Sequence, residues 1–134
     1  RLTGGGVPRQ VILNGGQQLT DWINKYDIPI VYGTDASRPL ATVEFRQHDD
    51  IRKFKRRFGS LKTIRAMTGN TYELGKLCTY QHPYPDGKLG VLEVGSYADL
   101  LLVQGNPVED VEILAEQTNI QLVMKDGVVY KNTL

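Results

Sequence analysis

The stretch Ile28-Pro-Ile-Val-Tyr-Gly-Thr-Asp-Ala36 decides the fold class of this chain. Residues 28–32 form a short, continuously apolar and β-branched run that stops at Gly33. A run of that kind suits a strand covered on both faces, as in a parallel sheet flanked by helices. The sequence on either side agrees. Upstream, 17–26 (QQLTDWINKY) sets Leu19, Trp22, Ile23 and Tyr26 at helical spacing, and Asp27 and Pro29 mark the end of that helix. Downstream, after Ser37-Arg-Pro-Leu40, the spacing predicts a helix over 42–57 with Ile51, Phe54 and Phe58 on one face, interrupted at Gly59. Ser60 is placed to N-cap the next helix, which carries Leu61, Ile64 and Met67 inward and stops at Gly69. A last short helix follows Asn70 and runs through Leu74 and Leu77.

The pattern changes at His82-Pro-Tyr-Pro-Asp-Gly87, a turn-rich boundary. Beyond it, short strands are expected at 90–93, 98–103, 121–125 and 128–131. The last two flank Asp126-Gly127, a dipeptide that tolerates positive φ at both positions and so signals a tight hairpin. Between them, Asn106-Pro107 opens a turn and 108–116 reads as a helical turn or two. The sequence therefore describes an α/β first part and a small, mostly antiparallel second part, α+β when taken together.

A length of 134 residues and a mass of 15.0 kDa bound the chain to one modest core. With 40% apolar and 23% charged residues and a single cysteine, Cys78, it is neither a disulfide scaffold nor a low-complexity chain. No apolar run reaches the roughly 18 residues needed to span a bilayer, so no membrane partner is expected and the cytoplasm is the expected compartment. Net charge is +1, but 1–85 carries 13 Lys/Arg against 7 Asp/Glu, while 86–134 carries 3 against 8. The two parts should attract each other. In the basic run Arg52-Lys-Phe-Lys-Arg-Arg57 the one aromatic, Phe54, belongs to the apolar face, and without the high overall pI of a nucleic-acid binder the cations read as the solvated face of the helix.

Candidate catalytic groups are sparse. His48 and His82 have no partner at metal-ligand spacing, and a structural role is expected for each. Cys78 reads as a small apolar residue near a helix end. Asp35 differs by position, since it follows the C-terminal end of the 28–32 strand, where α/β barrels place their reacting groups. On position alone a turn or capping aspartate is the competing reading.

Five segments, in order and at their spacings, carry a family resemblance: Tyr32-Gly-Thr-Asp-Ala36, Met67-Thr-Gly-Asn-Thr-Tyr-Glu-Leu74, 87–103 (GKLGVLEVGSYADLLLV), Gly105-Asn-Pro-Val-Glu-Asp-Val111 and 123–132 (VMKDGVVYKN). They resemble the C-terminal part of metal-dependent amidohydrolases, in the branch similar to imidazolonepropionase and Xaa-Pro dipeptidase-like enzymes. The resemblance implies the last β/α unit of a TIM barrel followed by the C-terminal strands of a composite β-sandwich. Residues 1–14 are then a flexible leader, 15–80 the barrel portion with its eighth strand near 28–32, and 81–134 the sandwich portion with a hairpin at 121–131. By resemblance Asp35 is both a metal ligand and the catalytic carboxylate that takes a proton from metal-bound water. Arg38, in the loop after it, is the candidate contact to a substrate carboxylate.

The full-length family implies a divalent metal, zinc, and a small amide or peptide-like substrate. Its His-x-His, its lysine and its two further histidines have no counterpart in these residues. One carboxylate does not make a catalytic zinc site, which takes three protein ligands and an open position. The isolated chain is therefore expected to be inactive and to bind no stoichiometric metal. Its unpaired strand edges point to a homo-oligomer. The alternative is a stand-alone noncatalytic module, oligomeric or partner-binding, derived from a truncated amidohydrolase.

Overall fold

The computed structural model describes residues 8–34 and 40–134. Three helices come first: α1 (Arg9–Lys25), α2 (Leu40–Met67) and α3 (Gly69–Lys76). Three strands follow: β1 (Leu100–Val103), β2 (Ile120–Lys125) and β3 (Val128–Asn132). They form one antiparallel sheet in the order β1-β2-β3. Two short 3-10 turns, Val111–Ala115 and Gln117–Asn119, link β1 to β2.

The helix α1 begins at Arg9, so residues 9–14, expected in a leader, are helical. Side-chain bonds one turn apart, Gln10 to Asn14 and Gln17 to Asp21, bracket Gly15-Gly16 and offset the cost of two glycines in a helix. Lys62 closes the other end. Its ammonium donates to the Ile23 carbonyl at 3.0 Å and to the Asp27 carboxylate at 2.8 Å, and that cation holds the Asp27 carboxyl below its ordinary pKa.

The break expected at Gly59 is present: with φ +78° and ψ 167° it separates two helical halves of α2. Ser60, however, does not cap the second half. Its hydroxyl donates to the Glu109 carbonyl and accepts from the Val111 N–H, tying α2 to the loop before the first 3-10 turn. Leu61, expected inward, is exposed, and the buried positions of this half are Thr63 and Ala66.

The core is small. Ile51 of α2 packs with Val111 and Ala115, with Tyr32, Ile64, Met67 and Leu114 around them. The charge imbalance is resolved on the same surface. Arg52 reaches Glu116 at 2.9 Å and Glu112 at 3.7 Å, and Lys55 reaches Asp110 and Glu112 at 3.0 Å each. The basic residues Arg52 and Lys55 are thus engaged by the acidic turn of the same chain.

Two expected strands are not formed. Residues 28–34 have no regular structure; instead the Tyr32 N–H donates to the Ala66 carbonyl and the Asn70 amide donates to the Ile30 carbonyl. An extended segment becomes a strand only when another strand pairs with it, and none of the described residues does so. Residues 90–93 are likewise irregular, because Gly90 turns the chain with φ +72°. The 121–131 hairpin is formed as expected, with Asp126 at φ 50° and Gly127 at φ 75° between paired Lys125 and Val128.

Candidate functional site

Asp35 and Arg38, the residues singled out for catalysis, metal and substrate binding, lie outside the described residues. The segment that leads to Asp35 is described up to Thr34, and it is well anchored. Besides the bonds from Tyr32 to Ala66 and from Asn70 to Ile30, the Tyr32 ring meets Phe54 edge-on at 4.9 Å. Burial, and secondarily the Asp50 carboxylate, raises the Tyr32 phenol pKa. Nothing in the local sequence marks Asn70 for this role, because an asparagine after a helix-ending glycine reads as a turn residue.

Among the described residues no group of three or more His, Cys, Asp or Glu is placed to hold a metal ion.

An apolar groove of about 1010 Å³ runs between α2–α3 and the sheet, walled by Ile64, Met67, Leu74, Leu101, Val103 and Val123. The helices therefore do not close onto the sheet; α2 rests on the Val111–Ala115 turn instead. The groove holds few polar groups. His82 at its rim has the structural role expected of it: Nδ1 accepts from the Tyr84 N–H at 2.9 Å, and its ring meets Tyr72 edge-on at 5.4 Å. Its Nε2 is buried against Gly75 of α3 and has no hydrogen-bond partner among the described residues. Cys78, read as a small apolar residue near a helix end, follows the end of α3 and is an exposed free thiol on the same rim.

The floor of the groove explains why two distant motifs occur together. The Asp99 carboxylate accepts from the Asp126 N–H at 2.7 Å, and the Gly127 N–H donates to the Ala98 carbonyl, so the Ala98-Asp99 pair clasps the Asp126-Gly127 turn. The glycines of 87–90 serve close approach. A side chain on Gly90 would collide with the Thr68 and Gly69 backbone at the start of α3, and one on Gly87 would come within 2.8 Å of the Gly95 carbonyl.

The same arrangement of helices, turn and sheet recurs in known structures. The chain aligns over 96% of its length with an amidohydrolase crystal structure at 27% identity and a TM-score of 0.69. Its fold is that of a segment of an amidohydrolase. An uncharacterized protein aligns over 96% of the chain at 24% identity and TM-score 0.70, and A. niger ochratoxinase over 98% at 22% and 0.69; these two likenesses concern the fold. The chain spans only 29–31% of the length of these three structures. No protein-family model and no curated protein sequence matches it. Among the described residues of this amidohydrolase-like segment, no helix is long and apolar enough to cross a membrane.

Proposed function

We propose that the chain is the C-terminal portion of a metal-dependent amidohydrolase that cleaves amide or peptide-like C–N bonds, and that it is inactive in isolation. One observation carries this reading: 96% of the chain aligns with an amidohydrolase structure of which it spans 30%. Its apolar groove and its unpaired strand edges agree with a piece that ordinarily packs against more protein.

In this reading Asp35 contributes one carboxylate to a site whose other ligands lie outside the 134 residues, and Arg38 meets a substrate carboxylate. The anchored 28–34 segment fixes where the chain enters that site. When bound, the metal supplies an activated water; this chain supplies a single proton-accepting carboxylate next to it.

The test is hydrolysis of N-acyl amino acids and blocked dipeptides by the purified chain with added zinc, read by amine release. No release above background is expected from the chain alone. Activity is expected from the product of a longer reading frame containing it, lost on Asp35→Asn. Turnover by the isolated chain contradicts the proposal.

A further inference from the structure

An aspartate or asparagine followed by glycine carries a reaction of its own. The glycine nitrogen can attack the carbonyl carbon of the preceding side chain, because no Cβ on the glycine stands in the way. The sequence holds three such pairs, Asn14-Gly15, Asp86-Gly87 and Asp126-Gly127, and the fold treats them differently.

Two of the pairs are held. Gly15 lies inside α1, where its N–H belongs to the helix, and the Asn14 side chain accepts from the Gln10 amide at 2.8 Å. At Asp126-Gly127 both backbone nitrogens are bonded. The Asp126 N–H donates to the Asp99 carboxylate at 2.7 Å and the Gly127 N–H to the Ala98 carbonyl at 3.1 Å. Asp86-Gly87 lies in a stretch, 82–87, that is neither helix nor strand. Among the described residues the Gly87 N–H has no acceptor, and the Asp86 carboxylate has no hydrogen bond or ion pair.

We infer that Asp86 is a site of spontaneous isoaspartate formation in this chain, selected by hydrogen bonds that the other two pairs make and this one lacks. The Gly87 nitrogen bonds to Cγ of the protonated Asp86 carboxyl. The bond from Cγ to its hydroxyl oxygen breaks, and the hydroxyl leaves with the amide proton as water, giving a cyclic imide. Water then adds to the main-chain carbonyl of that imide and breaks its bond to nitrogen, so the chain continues through Cγ. The reaction is intramolecular, needs no free surface and is independent of the proposed hydrolytic role.

The product lengthens the main chain by one methylene where there is no slack. A Cβ on Gly87 would stand 2.8 Å from the Gly95 carbonyl and 3.2 Å from the Tyr97 ring, so the glycine that makes the pair reactive is required there. The next residue, Lys88, accepts from the Tyr97 N–H at 3.0 Å and pairs with Glu93 at 2.6 Å. Isomerisation at Asp86 therefore loosens the 87–97 loop.

The experiment incubates the folded chain in mildly acidic buffer beside synthetic peptides spanning the three pairs. Isoaspartate at each pair is read in the digested chain by shifted elution and electron-transfer fragmentation. Asp86 is expected to isomerise at nearly the rate of its peptide. Asp126 and Asn14 are expected to react at least about tenfold more slowly than theirs, since each must first open locally. The Tyr97 amide should exchange faster in the isomerised fraction than in the unmodified chain. Protection of Asp86 equal to that of Asp126 overturns the inference. So does peptide-like reaction at all three pairs, which would mean that the fold selects none of them. Exchange at Tyr97 unchanged by isomerisation overturns the loosening of the loop.

Discussion

The carboxylate of Asp99 accepts a 2.7 Å hydrogen bond from the backbone N–H of Asp126, joining the start of β1 to the turn between β2 and β3. The Asp99 side chain is 27% exposed, so the bond is partly shielded from water. A charge-assisted bond to a backbone N–H is worth roughly 1.5–3 kcal/mol when one partner is removed. Asp99→Ala is therefore expected to lower unfolding free energy by about 2 kcal/mol in urea denaturation. Asp99→Asn keeps an acceptor and should cost less. Equal losses for the two variants would mean that the bond is not what matters there.

Gly90 and Gly95 both have positive φ, +72° and +87°, but their surroundings differ. A side chain at Gly90 meets the Thr68–Gly69 backbone, whereas one at Gly95 meets nothing within 4 Å. Gly95→Ala should cost about 1 kcal/mol, the price of left-handed backbone alone. Gly90→Ala adds a collision with backbone that has no room to yield, and about 3 kcal/mol or more is expected. Thermal unfolding of the two variants side by side measures the difference.

The cluster of Lys55 with Asp110 and Glu112 predicts a defined pH dependence. The hydrogen bond from Lys55, and then the Glu112 N–H, hold the Asp110 carboxyl below its ordinary 3.8. Asp110, then Glu112, hold the Lys55 ammonium above its ordinary 10.5. The carboxylate's contribution is present above 3.8 and is lost as pH falls through the depressed value. The ammonium's contribution is present below 10.5 and is lost as pH rises through the raised one. Lys55→Met should thus lower the Tm between those limits, with a gap that closes in stronger acid. Because these groups are exposed, the gap should also shrink in about 1 M NaCl. A gap that persists at low pH would assign the effect to packing of the lysine stem.

Asn70 holds the segment before Asp35 through its 2.9 Å bond to the Ile30 carbonyl. Asn70→Ala is expected to cost about 1 kcal/mol and to speed hydrogen exchange at the Tyr32 amide, which is bonded to Ala66. Exchange unchanged at Tyr32 would show that Ala66 alone sets that position.

Much of the fold was legible where local rules decide it. Asp126-Gly127 specified the hairpin because both residues accept positive φ, and Gly59 specified the break in α2 for the same reason. Local rules failed where tertiary surroundings decide. Gly15-Gly16 reads as the edge of a leader, yet α1 runs through the pair back to Arg9, with side-chain bonds on either side of it. Residues 28–32 have the composition of a strand, but hydrogen bonds from Tyr32 to Ala66 and from Asn70 to Ile30 replace a ladder. Ser60 has the identity of an N-cap, and its hydroxyl instead joins Glu109 and Val111, contacts with no signature in the local sequence.

The candidate site was legible only as Asp35 and Arg38, both outside the described residues, while the groove and its rim came from the folding of segments far apart in sequence. Under the proposed function the metal site draws on several barrel strands, and these residues supply only the segment before Asp35, so its other ligands are not legible here.

Zinc content follows from the same shortage of ligands. Purified chain dialysed against buffer with micromolar zinc should retain well under one equivalent by elemental analysis, since three protein ligands are needed. A full equivalent held tightly would require a site that the described residues do not form.

The central claim is that these 134 residues function as part of a larger hydrolase. It is tested most directly by the intact mass of the polypeptide that carries them in the source cells, captured with an antibody raised against the chain. A complete barrel takes about 250 residues, so a species well above 15.0 kDa is expected. A native species of 15.0 kDa, with nothing larger, would contradict the account.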